Sequence, residues 1–148
     1  MPYRITGALL LAVALAGCNA GPVHPAGWHR VAGTGRTRRW TIGNGKGLRE
    51  FATSNESFSG TLNGLASQQV VAFILHHHGA KLVGVKRFAP CPGLAAVARF
   101  TEGRRVLYRG FTVRGSRAFL ITYTSAEAGP IDASALAAMK KTLCTFGF

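Results

Sequence analysis

Acidic residues are scarce in this chain of 148 residues, which carries 18 lysines and arginines and a net charge of +13. The only carboxylate side chains are those of Glu50, Glu56, Glu102, Glu127 and Asp132. Glycoside hydrolysis needs two carboxylates facing one another across a cleft. These acids are scattered singly along the chain, which argues against an enzyme built on a carboxylate pair.

A hydrophobic run long enough to cross a bilayer is missing from the N-terminal region. The apolar residues 8–16 make up about half of the ~20 residues that a transmembrane helix needs. Arg4 precedes this run and small residues end it, which is the pattern of a secretory signal. We therefore expect residues 1–17 to be an export signal.

The signal ends in a recognisable tetrad, Leu15, Ala16, Gly17 and Cys18. These residues resemble the lipobox of bacterial lipoproteins. The resemblance implies that Cys18 receives a diacylglyceryl group and that acyl chains anchor the mature protein to the cell membrane. Because Asn19 stands where Asp would retain a lipoprotein in the inner membrane, the outer membrane is favoured in a Gram-negative host. The alternative is an ordinary secretory signal cut near Ala20, with loss of Cys18.

Cysteine is also rare, with three residues in the whole chain. If lipid modifies Cys18, then Cys91 and Cys144 remain, and an even pair in an oxidising compartment is expected to form a disulfide. The alternative is a reactive thiol, which would need a free cysteine.

The rest of the chain divides into a linker and one domain. Residues 18–35 are rich in Gly, Pro and Ala without an apolar period, which predicts a flexible tether. Residues 36–148 then form a single α+β domain, with an antiparallel sheet of about five to six strands and helices at 61–78 and 132–144. In its element order the domain resembles the PsbP-like domains of extrinsic photosystem proteins and of small bacterial lipoproteins. That resemblance implies a fold but no functional residue.

The strands 105–113 and 117–124 are predicted to form a hairpin around Gly115 and Ser116. A two-residue loop pairs Arg114 with Arg117 and fixes the register of the two strands. In that register both faces of the hairpin are apolar, so each must be covered. The helix at 61–78 is expected to cover one face, and the last helix, or the tether with Trp28 and Trp40, the other. An uncovered face would instead be a groove for a ligand or a partner protein. The residues of this candidate face are Tyr108, Gly110, Phe119, Ile121 and Tyr123.

Arginine supplies most of the positive charge, before the first strand and along the hairpin. An exported protein does not meet nucleic acid, and the polyanions of its compartment are lipid phosphates and acidic glycans. We therefore take Arg105, Arg109 and Arg117 as candidate anion-binding residues, against the alternative of a solvated basic surface. The expected partners are the membrane, reached through the lipid anchor, an anionic lipid or glycan, and possible envelope proteins.

Histidine clusters at residues 76–78, within the predicted end of a helix. Successive helical side chains point ~100° apart, so these three cannot converge on one metal ion while the helix persists. No nucleophile-elbow or phosphate-loop motif is present. We expect no catalytic residue, cofactor or metal, and a non-enzymatic module that binds or stabilises something at the membrane surface. The alternative is an envelope enzyme acting on an anionic substrate through His76 or His77 and arginines, which would need a pocket that gathers them.

Replacing Cys18 with Ser tests the anchor. The thiol is the group that accepts the diacylglyceryl moiety, so the Cys18→Ser chain should stay unprocessed or become soluble when cells are fractionated. A variant that still matures and sediments with membranes would rule out the lipobox interpretation.

Overall fold

The computed structural model describes residues 23–88 and 95–145. The export signal, Cys18 and Cys91 lie outside the described residues. The described strands are β1 (His29–Val31), β2 (Arg38–Ile42), β3 (Arg49–Ser57), β4 (Lys81–Phe88), β5 (Ala95–Glu102), β6 (Arg105–Arg114) and β7 (Arg117–Ser125). The helices are α1 (Leu62–His76) and α2 (Ala133–Thr145), and a short 3-10 helix spans Gly45–Gly47.

The strands form one sheet in the order β1-β2-β3-β7-β6-β5-β4. Every neighbouring pair is antiparallel. Helix α1 packs on β4, β5 and β6, while α2 packs on β6 and β7. The α+β class and the antiparallel sheet with two helices are confirmed.

The predicted number of five to six strands was too low, since the described sheet has seven. The additional strand, β1, lies inside the segment predicted as a tether. All three of its residues are exposed. A strand this short and exposed leaves no alternation of apolar and polar residues from which it could be recognised.

The β6–β7 hairpin has the predicted register. Tyr108 pairs with Tyr123, Gly110 with Ile121 and Phe111 with Leu120. Phe111 and Leu120 belong to the core cluster beneath α1, whereas Ile121 and Tyr123 belong to the cluster beneath α2. Both apolar faces of this hairpin are therefore covered, one by each helix.

Helix α1 begins where the sequence predicts. The hydroxyl of Thr61 accepts a hydrogen bond from the backbone N–H of Gly64 at 3.1 Å, which caps the first turn. Leu62, Leu65 and Phe73 are buried against the sheet. The helix ends at His76, two residues before the predicted boundary at 78.

Gly110 sets how closely α2 approaches the sheet. A Cβ atom at this position would lie 3.3 Å from both Met139 Sδ and Leu143 Cδ1. Those distances are tight for a Cβ contact, so any larger residue here would require the ends of the Met139 and Leu143 side chains to shift. The missing side chain in β6 therefore lets Met139 and Leu143 reach full burial.

Part of the segment predicted to be a tether packs on the domain, at Val23, Pro25 and Trp28. Val23 packs against the core cluster beneath α2. The ring of His24 stacks on Trp40 with a centroid distance of 5.5 Å. Trp28 is only 6% exposed, and its indole N–H donates to Ser134 Oγ at 3.1 Å. This segment is thus tied to the first turn of α2.

Cys144, near the end of α2, is disulfide-bonded. The other two cysteines of the chain, Cys18 and Cys91, both lie outside the described residues. The pairing with Cys91 stays a prediction.

Asp132 caps α2. Its Oδ1 accepts hydrogen bonds from the backbone N–H groups of Ser134 at 2.9 Å and Ala135 at 3.3 Å, and from the Ser134 hydroxyl. Its Oδ2 lies 3.0 Å from Arg49 Nη1. The hydrogen bond from the Ser134 side chain is the main cause that holds the pKa of Asp132 below its ordinary value, with the two backbone bonds and Arg49 adding to it.

We expect Asp132→Ala to lower the free energy of unfolding by about 1 kcal/mol at neutral pH, as is usual for a lost N-cap. A carboxyl whose pKa is lowered by folding stabilises the fold above its ordinary pKa, and this contribution is lost as the pH falls through its folded value. The difference from wild type should therefore shrink in urea denaturation curves measured towards about pH 2. Asp132→Asn, which keeps a capping oxygen, should lose less. A difference that is constant over this pH range would contradict the assigned role of the charge.

Candidate anion-binding pocket

A basic cavity opens at the end of the sheet near the β6–β7 turn. Its volume is about 470 Å³. Strands β1, β2, β3 and β7 contribute to its walls, together with the turn between β1 and β2. Its charged lining residues are Arg30, Arg36, Arg38 and Arg117.

Strand pairing explains how these arginines meet. Arg38 pairs with Thr53 in β3, and Thr53 pairs with Ile121 in β7. Ile121 is buried under α2, and alternation along each strand therefore places Arg38, Thr53 and Arg117 on the α2 side of the sheet. Arg30 pairs with Trp40, which is in the same buried cluster, so it lies on that side too.

The β1–β2 turn shapes the cavity wall and carries Arg36. The backbone N–H of Thr37 donates to the carbonyl of Thr34 at 3.0 Å, which closes the turn. At Gly33 a Cβ atom would overlap the carbonyl oxygen of Thr37. Glycine is therefore needed at this position for the turn to fold close against the sheet.

The charged residues that line the cavity are all positive. Its lining residues include no carboxylate, and its neutral polar members are Thr37, Thr53, Ser54 and Asn55. Arg117 donates to Asn55 Oδ1. The Nη1 atom of Arg38 is buried and has no hydrogen-bond partner among the described residues. A buried guanidinium nitrogen without an acceptor is costly, and the charge of Arg38 therefore lacks an internal hydrogen-bond partner at this atom.

Arg39, the neighbour of Arg38 in β2, forms an ion pair and does not line the pocket. It points to the opposite side of the sheet from Arg38, and its Nη2 lies 2.6 Å from Glu50 Oε2. Its charge is therefore balanced within the protein, whereas the four pocket arginines have no carboxylate beside them.

The three arginines predicted as anion ligands are not brought together. Arg117 lines the pocket. Arg105 lies at the other end of β6, where its Nη1 is 3.7 Å from Glu102 Oε2. Arg109 is on the side of the sheet that α1 covers. The predicted group is therefore separated over two ends and two faces of the sheet.

Arg109 is largely buried, close to Glu56 and beneath α1. Burial lowers the pKa of its guanidinium, and the charge of Glu56 opposes that shift. Glu56 also accepts a hydrogen bond from Gln69 Nε2 of α1 at 3.2 Å. Arg109 thus belongs with a polar group beneath α1, which leaves it poorly placed for a ligand in solution.

The residues of the aromatic face that was predicted as a possible ligand groove do not form one open surface. Gly110, Ile121 and Tyr123 are buried beneath α2. Tyr108 and Phe119 are half-buried. Tyr108 lines a second cavity, between α2 and the β4–β5 half of the sheet.

The histidines at the end of α1 do not converge. The ring of His77 stacks on Phe73 with a centroid distance of 4.1 Å, and its Nδ1 is 3.7 Å from Glu102 Oε2. His76 and His78 are exposed. No histidine lines the main cavities found in residues 23–88 and 95–145. Nor do these residues contain a cluster of three His, Cys, Asp or Glu side chains suited to a metal ion.

Arg30, Arg36 and Arg38 were not among the predicted anion ligands, and Arg30 lies in the segment predicted to be a tether. The clustering of Arg36 and Arg38 was visible in the sequence, but their proximity to Arg117 depends on the pairing of β3 with β7. A signal for Arg30 exists only in the glycines at 33 and 35, which fit a turn between two short strands.

Comparisons with known proteins inform the fold alone. No family model matches the chain, and no curated protein matches it. A solved structure with a similar fold is that of PA94 from Pseudomonas aeruginosa, a protein of unknown function. The likeness has a TM-score of 0.51 at 16% sequence identity, and covers 66% of this chain and 83% of that one. In the described part of this chain, neither helix has the length and hydropathy needed to cross a bilayer.

Proposed function

We propose that this protein is an exported, lipid-anchored domain of the cell envelope that binds an anionic group through the pocket of Arg30, Arg36, Arg38 and Arg117. The observation that carries the proposal is the meeting of four arginines around one cavity whose lining has no carboxylate. The domain acts as a binding module at the membrane surface.

The distribution of the acids supports this role. Glu50 pairs with Arg39, Glu102 with Arg105 and Asp132 with Arg49. Glu56 lies near Arg109, and Glu127 lines a different cavity. All five carboxylates of the chain are thus outside the pocket, and the repulsion among its arginines has to be relieved by solvent ions or a ligand.

The chemistry of the lining indicates the class of ligand. Guanidinium groups match the geometry of phosphate and carboxylate oxygens, which they bind with two parallel hydrogen bonds. Thr37, Thr53 and Asn55 add neutral polar groups beside them. A phosphorylated or carboxylated headgroup of an envelope lipid or glycan meets both requirements.

The proposed anchor would bring this pocket to its ligand. Only residues 19–22 separate Cys18 from Val23, which is already packed on the core. A fully extended chain from residue 18 to residue 23 spans at most about 18 Å. His24 stacks on Trp40, two residues along β2 from Arg38, so the chain enters the domain on the same face as the pocket. A lipid at Cys18 would thus keep that face near the headgroups.

The pocket can be tested with pyrophosphate as the probe, titrated calorimetrically at low salt into the full chain in a nonionic detergent. Arg38→Gln and Arg117→Gln should each weaken binding about tenfold, equivalent to roughly 1.4 kcal/mol. Each change removes one charge-assisted hydrogen bond, the class of bond that contributes about 1.5–3 kcal/mol. Added salt should weaken the wild-type affinity, because it screens the arginines.

Arg104→Gln and Lys46→Gln are the matched controls. Both residues are exposed at the opposite end of the sheet, and each change removes the same charge. They should alter the affinity less than about twofold. Equal losses in all four variants would show that net charge alone attracts the anion, and absence of binding at low salt would refute the pocket directly. Neither result depends on Cys18.

A further inference from the structure

We infer that a second cavity, between α2 and the β4–β5 half of the sheet, binds a single acyl chain that carries an anionic headgroup. Its volume is about 370 Å³. It lies on the same side of the sheet as the arginine pocket but is formed by different residues, and its chemistry is different.

The cavity exists because α2 is too narrow to cover its face of the sheet. The helix packs on β6 and β7, while α1 covers β4 and β5 only from the other side. On the α2 side, β5 presents Val97, which is half-buried. In β4, Gly84 pairs with Arg99, two residues further along β5, and an added Cβ at Gly84 would meet no atom within 4 Å. The missing side chain leaves a channel between the edge strand and the helix.

The walls are apolar. Leu136 and Met139 of α2 form one side, and Val97 with the ring of Tyr108 forms the sheet side. Aliphatic walls favour a flexible hydrocarbon chain. Cavities of roughly 300–1,000 Å³ with apolar walls and few polar groups are typical small-molecule sites.

Two cations specify the headgroup. Lys86 and Arg99 line the cavity, and both side chains are exposed. The guanidinium carbon of Arg99 lies 5.7 Å from the centroid of the Tyr108 ring, which holds it beside the opening. Neither cation forms a salt bridge with any carboxylate of the described residues. An apolar channel with two unneutralised cations complements an acyl anion better than a neutral or cationic amphiphile.

The test uses a photoactivatable decanoate on the full chain, kept in a fluorinated surfactant whose chains do not mix with hydrocarbon. We expect adducts at the residues that line this cavity, mapped by mass spectrometry. Unlabelled decanoate should compete at least tenfold better than decylamine, which has the same chain length with a positive headgroup. Adducts spread over the surface, or equal competition by decylamine, would overturn the inference.

Gly84→Leu should fill the channel and reduce the adduct yield at least fivefold. Gly47→Leu is its control, since the same substitution there also meets open space but Gly47 does not line this cavity. Both variants should fold, because neither added Cβ contacts another atom. An unchanged yield in Gly84→Leu with a normal melting temperature would contradict the site.

Lys86→Glu and Arg99→Glu together should reverse the preference from decanoate to decylamine, with no change in melting temperature that could account for it. Retention of the decanoate preference would refute the role of the cations. A second arm offers the same photolabel on phosphatidylglycerol in vesicles. Labelling of the cavity from the vesicles would identify a membrane lipid as the source of the acyl anion, and labelling by decanoate alone would identify a free fatty acid.

Discussion

The close approach of α2 to β6 at Gly110 is the contact on which the rest of this structure depends. Two apolar faces on one hairpin require two covering layers, and antiparallel sheets more commonly leave one face to solvent. Helix α1 covers the side of Phe111. On the other side, the glycine in β6 admits Met139 and Leu143 to full burial. Since α2 then lies over the centre of the sheet, the N-terminal segment has to cover Trp40 and Phe51 on one flank. The end of that flank beside Arg38, and the β4–β5 flank, keep open cavities.

The two open cavities have opposite chemistry because the strands that line them carry different residues. On one flank, β1 and β2 place Arg30 and Arg38 beside Arg117 of β7. On the other, β4 and β5 present Gly84 and Val97 against the side of α2. A polar anion suits the first flank and a hydrocarbon chain suits the second. One helix in the middle thus separates two recognition surfaces on a single face.

Features encoded by neighbouring residues could be predicted from the sequence, whereas features built by distant pairing could not. The hairpin register follows from Gly115, Ser116 and the alternation on either side, and the α1 boundary follows from Thr61. By contrast, the arginine pocket requires β3 to pair with β7, across all the residues of α1, β4, β5 and β6. Local pattern carries no information about that pairing. Arg105, Arg109 and Arg117 share one hairpin in sequence, yet they lie at two ends and on two faces of the sheet.

The N-terminal segment has no recognisable sequence pattern, yet Trp28 in this segment contributes to the core. Trp28 carries its indole into the core and donates to Ser134, and Ser134 in turn donates to the capping carboxylate of Asp132. Arg30 follows two residues later in β1, whose side chains are all exposed. The position of this pocket arginine is therefore held by the pairing of β1 with β2 and by Trp28, which is linked to the cap of α2, since the side chains of β1 bury nothing. A weakened cap would loosen the wall of the arginine pocket even though no residue of α2 lines it.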